Sequence, residues 1–569
     1  MLSRLSMSHV VFALAIVFLV YVVALPIGAM FWQSLRTEDG ALTFGNYADF
    51  FGNSRLLQST LNTLTVSIIT AIGSILIAAP LAFGVARTNM RGKAVVNIAV
   101  IISFASPPFL IALAYIFIGG PNAGYINQVL RFVFALDTTR GPFNIFSLYG
   151  FVFLALPSTV ALVYLTLLPA FANMDPTLEE ASRLAGAGPA ETVWRISFPI
   201  MSAGMLAGGL LAFSTALAMF ATPFLLEIDV LTVAIRRALL VTFNFGEAAT
   251  IACVSVALSM VVLFLYRRTL RADARYQTIS GRGYRPAQLQ LGPSRHLLTG
   301  LAWSYAVVGA FLPYSLLVMI SFLRTPSRGP VGDNFTLSNY ATVLTDGAVR
   351  AALTNSLVLS LLSATVIAAV GFLLAYIVTR TRLPGRAIVD YLCILPLGIA
   401  GTAFAVGVII LNLETPLRAF GFYGSLAILL VAYIGRYIPF GMRTAQISLL
   451  QISRELEEAS RVAGASQLRT LWHITLPLVR TGFSYAWILA FLQAFLEVSA
   501  SIMLRGPNMD VSATALLVAY GRQNGLSLAC ALAVVLFVIV IVLVFIAQRV
   551  GRPIIPTQAE PVAVVPAAA

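Results

Sequence analysis

Few side chains in this 569-residue chain are spaced for covalent chemistry. Its three histidines, His9, His296 and His473, are scattered, so no metal-ligand spacing is visible and no metal is expected. Cys253, Cys393 and Cys530 all fall inside apolar stretches, which leaves no disulfide framework. Cys253 and Cys530 each follow an alanine in matching contexts and read as small packing residues. A Gly-x4-Gly-Lys-Ser/Thr phosphate loop is absent; Gly92-Lys93 lacks the upstream glycine and is followed by alanine. No catalytic group and no chain-bound cofactor is therefore expected. Two carboxylate groupings remain. One is Glu497, alone in the apolar run Phe495-Leu496-Glu497-Val498; the other is a pair of acidic doublets, Glu179-Glu180 and Glu457-Glu458.

The doublets belong to a passage that the chain states twice. Glu179 to Ala187 reappears as Glu457 to Ala465, and Thr192-x-Trp194-x-Ile196-x-x-Pro199 returns as Thr470-x-Trp472-x-Ile474-x-x-Pro477, always 278 residues later. A fixed offset over such a length argues that a whole unit was duplicated. Locally the passage predicts a short helix. Asp175 and Ser453 are N-cap types, and Pro176 suits a first turn. Leu178, Ala181, Leu184 and Ala185 recur at helical spacing, as do Leu456, Ala459, Val462 and Ala463. Glu179 precedes Arg183 by four residues and Glu457 precedes Arg461 likewise, the favourable order for an ion pair. Gly186 and Gly464 fit as helix stops, and Gly188-Pro189 or Ser466 could start a second helix carrying Trp194 or Trp472. Such an elbow is too short and too charged to cross a bilayer.

Glu180-Ala181-Ser182-x3-Gly186-x9-Ile196-x-Phe198-Pro199 resembles the "EAA" loop of permease subunits of ATP-driven (ABC) importers, and Glu458-Ala459-Ser460-x3-Gly464-x9-Ile474-x-Leu476-Pro477 resembles it again. Ser182 and Ser460 stand for the second alanine, and Phe198 for a usual leucine. The resemblance implies that each elbow is a coupling helix docking into a separate, homodimeric cytoplasmic ATPase, which would hold ATP and magnesium. The coupling residues it implies are Glu179, Glu180, Ala181, Ser182, Gly186, Pro199, Glu457, Glu458, Ala459, Ser460, Gly464 and Pro477, with the four glutamates exposed to the ATPase. It also implies a periplasmic binding protein that delivers the cargo.

The surrounding elements must then be membrane spans. The chain is 59% hydrophobic and 10% charged, against roughly 25% charged in soluble domains, with a mean hydropathy of +0.91. The expected architecture is all-α with twelve transmembrane helices: 10–32, 61–85, 95–118, 148–171, 200–225 and 248–266, then 298–322, 353–378, 388–411, 426–444, 481–503 and 526–547. The first run is long for a signal sequence and lacks a small-x-small cleavage site. Leu25-Pro26 within it is matched by Leu312-Pro313 in the second half, so it is kept as a span.

Arg87, Arg91 and Lys93, their counterparts Arg380, Arg382 and Arg386, the arginine-rich 267–297 and the closing Arg549 and Arg552 all fall on one side. The positive-inside rule makes that side cytoplasmic, with both termini and both elbows. It also accounts for the net charge of +14 without nucleic acid. Six spans per half make the two units parallel rather than inverted. Asn46-Tyr47 with Asn339-Tyr340 and Asn62 with Asn355 support the pairing. The expected domains are a first permease repeat (1–266), a cytoplasmic linker (267–297), a second repeat (298–549) and a disordered tail (550–569). The expected location is a bacterial inner membrane.

An acid inside a span is by default a functional residue. Glu497 could line the translocation path, bond a polar neighbour, or sit near the outer interface, since Arg505 follows; its partner cannot be named. The fusion of two repeats resembles ferric-iron, thiamine and 2-aminoethylphosphonate importers, and Glu497-Val-Ser-Ala-Ser-Ile-Met-Leu-Arg505 is similar to a "KELPAT-LLLRP" stretch of iron(III) permeases. Ferric iron is the expected cargo, with 2-aminoethylphosphonate, thiamine or polyamine as alternatives. The rival from another class is an ion-gradient-driven secondary transporter, for which Glu497 alone is thin support.

Overall fold

The computed structural model describes residues 7–273 and 289–550, apart from 38, 123, 136, 137, 176, 382, 415–418, 420, 523 and 524. Most of the expected linker and the tail beyond 550 lie outside the described residues. Among those described, helices carry the fold and extended pairing is confined to isolated bridges. Eight helices are long and apolar enough to cross a membrane: Phe12–Ser34, Ser54–Arg87, Leu148–Ala172, Phe245–Tyr266, Gly292–Ser321, Gly347–Arg380, Leu426–Leu450 and Gly525–Ile546. The protein is an integral membrane protein.

The other four expected spans lie on bent helix pairs. Lys93–Ala105 meets Pro108–Gly119 at 102° and Arg386–Gly398 meets Gly401–Leu413 at 116°. In the first, Ser106 and Pro107 are extended because a residue ahead of proline is driven out of the helical region. Val193–Ile200 meets Ser202–Ala218 at 61° and Gln467–Leu478 meets Arg480–Phe495 at 74°. The expectation of unbroken spans over 200–225 and 481–503 is also corrected further along. The first stops at Ala218 and resumes at Ala221; the second stops at Phe495 and resumes at Ser499. Hydropathy is blind to these breaks, since the residues on both sides remain apolar. Protein-buried surroundings satisfy the freed backbone: the Thr232 hydroxyl donates to the Met219 carbonyl (2.8 Å), and Ser501 donates to that of Glu497 (2.9 Å).

Prolines also explain the four π turns, Val20–Ala24, Val193–Ser197, Val307–Phe311 and Leu471–Thr475. Each is followed by Leu-Pro or Phe-Pro. A proline ring clashes with the carbonyl four residues earlier and offers no N–H, so the turn before it widens.

The Ser54–Arg87 helix packs on Leu148–Ala172 and Ser202–Ala218, and Gly347–Arg380 packs in the same way on Leu426–Leu450 and Arg480–Phe495. The first span of each half is buried against the other half. Ala15, Leu19, Val22 and Val23 join a core with Phe372, Ile438 and Met442, while Ala302, Tyr305, Ala306 and Ala310 join one with Ala78, Val160 and Tyr164. Tyr305 donates across this seam to the Pro157 carbonyl (2.9 Å).

Bonds recur at the end opposite the elbows. Asn46 donates to the carbonyls of Ser34 (3.0 Å) and Arg36 (2.9 Å), and Asn339 to those of Ser321 and Leu323 (both 2.9 Å). Tyr47 bonds Ser34 and Tyr340 bonds Ser321. Asn62 donates to the Asp229 carbonyl (2.9 Å) and Asn355 to that of Asp510 (3.0 Å).

Both elbows lie at one end of the bundle. Phe12 starts its span beside Gly385, next to the second elbow's helix 347–380. Two traverses of the bundle, Phe12–Ser34 and Ser54–Arg87, then return the chain to Arg87 and the first elbow.

Candidate functional site

In the first elbow a helix runs Thr177–Leu184, with the Thr177 N–H donating to Asp175 Oδ1 (2.9 Å). That bond holds the Asp175 carboxyl below the usual carboxylate range. In the second elbow the helix is Arg454–Val462, capped by Ser453 on the Glu455 N–H (3.3 Å). Both helices stop at a glycine with φ of +86°, Gly186 and Gly464, and the next N–H reaches back to Ser182 and Ser460 respectively (3.1 Å each). This is a Schellman closure, which a side chain at the left-handed position would strain. Ser182 and Ser460, the departures from the family's alanine, have one structural reason: each hydroxyl bonds a threonine of the second elbow helix, Thr192 or Thr470, at 2.9 Å.

The acidic doublets divide, and part of the expectation is corrected. Glu179 and Glu457 are buried, not exposed. The Glu179 carboxylate meets Arg87 Nη2 at 2.6 Å and accepts the Ser197 hydroxyl at 2.8 Å, while Arg87 also donates to the Met174 carbonyl (3.2 Å). The Glu457 carboxylate lies 3.5 Å from Arg380 Nε and accepts the Thr475 hydroxyl at 3.1 Å; Arg380 holds the Leu449 and Ile452 carbonyls at 2.7 Å each. The four-apart pairing expected within the helix thus gives way to an arginine at the end of a long span. Inside the protein that pairing removes an uncompensated buried charge, which a solvent-side pairing would not. Glu180 is half-buried and Glu458 exposed.

The apolar positions of the elbows face outward. Leu184 and Val462 are each 90% exposed, Trp194 and Trp472 are 70% and 60% exposed, and Leu178 and Leu456 are about half exposed. The same six positions, in matched pairs, are thus uncovered in both elbows. Ala181, Ala459, Gly186, Gly464, Pro199 and Pro477 are exposed beside them. The sequence did not reveal Arg87, Arg380, Ser197 and Thr475 as elbow residues; their recurrence in matched contexts was the one signal, and it does not name their partners.

Glu497 sits elsewhere, in the helix break after Phe495. Its carboxylate meets Arg436 Nε at 3.3 Å, bonds the Tyr437 hydroxyl and caps the Ala500 N–H at 2.7 Å. Arg436 stands midway along Leu426–Leu450 and donates to the Ile399 carbonyl (3.2 Å) at the sharp bend 398–401. Of the readings the sequence left open, the bond to polar neighbours is the one observed.

Residues 367–551, which include the second elbow, match the family described as binding-protein-dependent transport system inner membrane component. Over more of its length the chain resembles ABC importer permeases of the iron(III) family. It is 27% identical to the ferric transport system permease protein FbpB of Actinobacillus pleuropneumoniae, over 80% of this chain and 65% of that protein. It therefore spans just under two thirds of that relative's length. It is 24% identical to the putative 2-aminoethylphosphonate transport system permease protein PhnU of Salmonella typhimurium, over 42% of this chain and 85% of that one. A solved bacterial ABC transporter involved in the import of the acidic polysaccharide alginate aligns at 16% identity, covering 44% of this chain and 89% of its own, with a TM-score of 0.34.

Proposed function

We propose that this chain is the membrane-spanning permease of an ATP-driven importer in a bacterial inner membrane, moving ferric iron released by a periplasmic binding protein. The observation that carries this reading is the pair of matched elbows at one end of the bundle, each presenting the same uncovered leucine or valine and tryptophan. An apolar patch of this kind marks a protein-docking surface, and two related by the chain's internal repetition suit a homodimeric ATPase. Twelve spans arranged as two parallel six-helix repeats, 1–266 and 298–549, with linker 267–297, tail 550–569 and both termini cytoplasmic, are the architecture that fits. The recurring Asn, Tyr and Arg bonds of the two halves support it.

In the mechanism, ATP binding closes the partner dimer and draws the elbows together. The halves then rock from inward-open to outward-open, which requires the ATP-bound partner to favour the outward-open form. Leu178, Leu184, Trp194, Glu180 and their counterparts Leu456, Val462, Trp472 and Glu458 are the proposed contact surface. Gly186 and Gly464 shape it, Ala181 and Ala459 leave it open, and Ser182, Ser460, Pro199 and Pro477 fix its second helix. Glu497 holds the helix breaks beside the path. ATP with magnesium is assigned to the partner alone.

Similarity to FbpB supports ferric iron as cargo; that to PhnU makes 2-aminoethylphosphonate the second reading. The test is uptake of radiolabelled ferric iron by sealed vesicles holding this chain, its ATPase and its binding protein. ATP-dependent accumulation is expected. Uptake that survives ATP removal and collapses with an uncoupler would establish a secondary transporter instead.

A further inference from the structure

We propose that the buried pairs Arg87–Glu179 and Arg380–Glu457 are struts that carry movement of the elbows into the helical bundle. This rests on the importer reading above. Each arginine is the last residue of a 34-residue helix, Ser54–Arg87 or Gly347–Arg380, against which two other long helices of its half pack. Each also grips carbonyls where the chain enters the elbow, at Met174 or at Leu449 and Ile452. Each glutamate lies in the first elbow helix and is bonded from the second by Ser197 or Thr475. One carboxylate therefore ties both elbow helices to one long span.

The need for such a tie follows from exposure. The apolar side chains at Leu184, Val462, Trp194 and Trp472 face outward; the apolar anchoring comes from the second elbow helix, where Val193 and Phe198, or Leu471 and Leu476, pack on the bundle, and the first elbow helix is joined to the span through its buried glutamate. Without the strut, a pull on that patch would be taken up by hinging at the helix ends near residues 173–175 and 200–201 in the first half, and near 451–453 and 478–479 in the second. With it, the pull must displace the span. The arginine and glutamate side chains are 1% and 6% exposed in the first pair, 6% and 5% in the second. Neither glutamate is thus available to touch a partner, and both act as positioning residues. The links differ in form: the Arg87–Glu179 contact is the shorter, 2.6 Å against 3.5 Å, while the second elbow is also tied to its span by Arg454, which donates to the Thr379 carbonyl at 2.8 Å and would remain after loss of the Glu457 charge.

The test uses the full complex of this chain, ATPase and binding protein in vesicles, scoring cargo uptake, ATP hydrolysis and ATPase retained on purification. In Glu179→Gln and Glu457→Gln the partner should stay bound and hydrolysis continue, while cargo moved per ATP falls by about tenfold, within the usual range of a coupling factor. The larger fall is expected for Glu179→Gln. Glu179→Asp, which keeps the charge, should recover part of the ratio. If Glu179→Gln does not reach the membrane, Arg87→Lys is scored by the same ratio. An unchanged ratio overturns the proposal, as does loss of the ATPase from the Gln variants while Glu180→Gln and Glu458→Gln retain it. Absence of ATP-driven uptake in the unaltered complex would instead reject the importer reading itself.

Discussion

The two elbows and the membrane interior treat symmetry differently. At the elbows the bonds that shape the fold come in twins: Ser182–Thr192 with Ser460–Thr470, Gly186 with Gly464, Arg87–Glu179 with Arg380–Glu457. In the interior the equivalent helix breaks are filled by different chemistry. The first half places Met219 at its break and closes it with one threonine hydroxyl. The second places Glu497 there, with Arg436 and Tyr437. The proposed docking on two identical faces of a partner would require the two elbows to be held alike. Away from the elbows that requirement lapses, and the Glu497–Arg436 pair, with Met219 at the matching break, is a divergence of that kind.

The largest effect should come from that unmatched pair. Glu497→Leu leaves the partly buried Arg436 with the Ile399 carbonyl and no counter-charge; the cost for a fully buried pair is about 3–5 kcal/mol, and the 17% exposure of Arg436 places this site toward or below the lower end. The thermal unfolding midpoint of the detergent-purified protein should fall clearly. Arg436→Leu combined with Glu497→Leu should recover much of the loss, because an apolar replacement of a whole buried pair is often near neutral. Met219→Leu at the matching break should cost under ~1.5 kcal/mol. If Glu497→Leu proved as mild as Met219→Leu, the contrast between the halves would have no energetic content.

Next come the helix stops. An added Cβ at Gly186 or Gly464 meets no atom within 4 Å, so substitution there acts through backbone strain alone. Gly186→Val and Gly464→Val should each cost about 1–2 kcal/mol locally and misalign the apolar patch. Under the proposed docking, retention of the partner ATPase on the purified protein should fall in both. An effect confined to one half would break the equivalence of the elbows.

What could be read in advance follows from range. Asp175, Ser453, Gly186 and Gly464 bound their helices because capping acts between neighbours, and span length follows from composition within one window. The break at Met219 escaped because a backbone can leave the helix without any change in hydropathy, and the acid at Glu497 marks its position without saying that the helix ends there. Which glutamate of each doublet turns inward escaped for another reason. It depends on Arg87, 92 residues before Glu179, and on Arg380, distant from Glu457. The recurrence of those arginines was visible, but repetition alone does not say what an arginine binds. Likewise Glu497 was legible as unusual, while Arg436 lay on another helix.

The smallest effect refines the twin comparison. Ser182→Ala and Ser460→Ala each remove a 2.9 Å hydroxyl bond to a buried threonine. Such a bond is worth about 0.5–1.5 kcal/mol net, and an unsatisfied buried hydroxyl adds to the loss. The two sites should not respond equally. Thr192 also donates to the Gly188 carbonyl at 3.2 Å and keeps that partner after Ser182→Ala. Thr470 shows no second hydroxyl bond among the described residues, so Ser460→Ala strands it. Ser460→Ala should therefore be the more damaging by up to ~1 kcal/mol, seen as faster proteolytic nicking of the second elbow than of the first. Equal or reversed sensitivity would mean that the threonine hydroxyls reach water in both elbows, and that the serine bonds shape the surface without holding it.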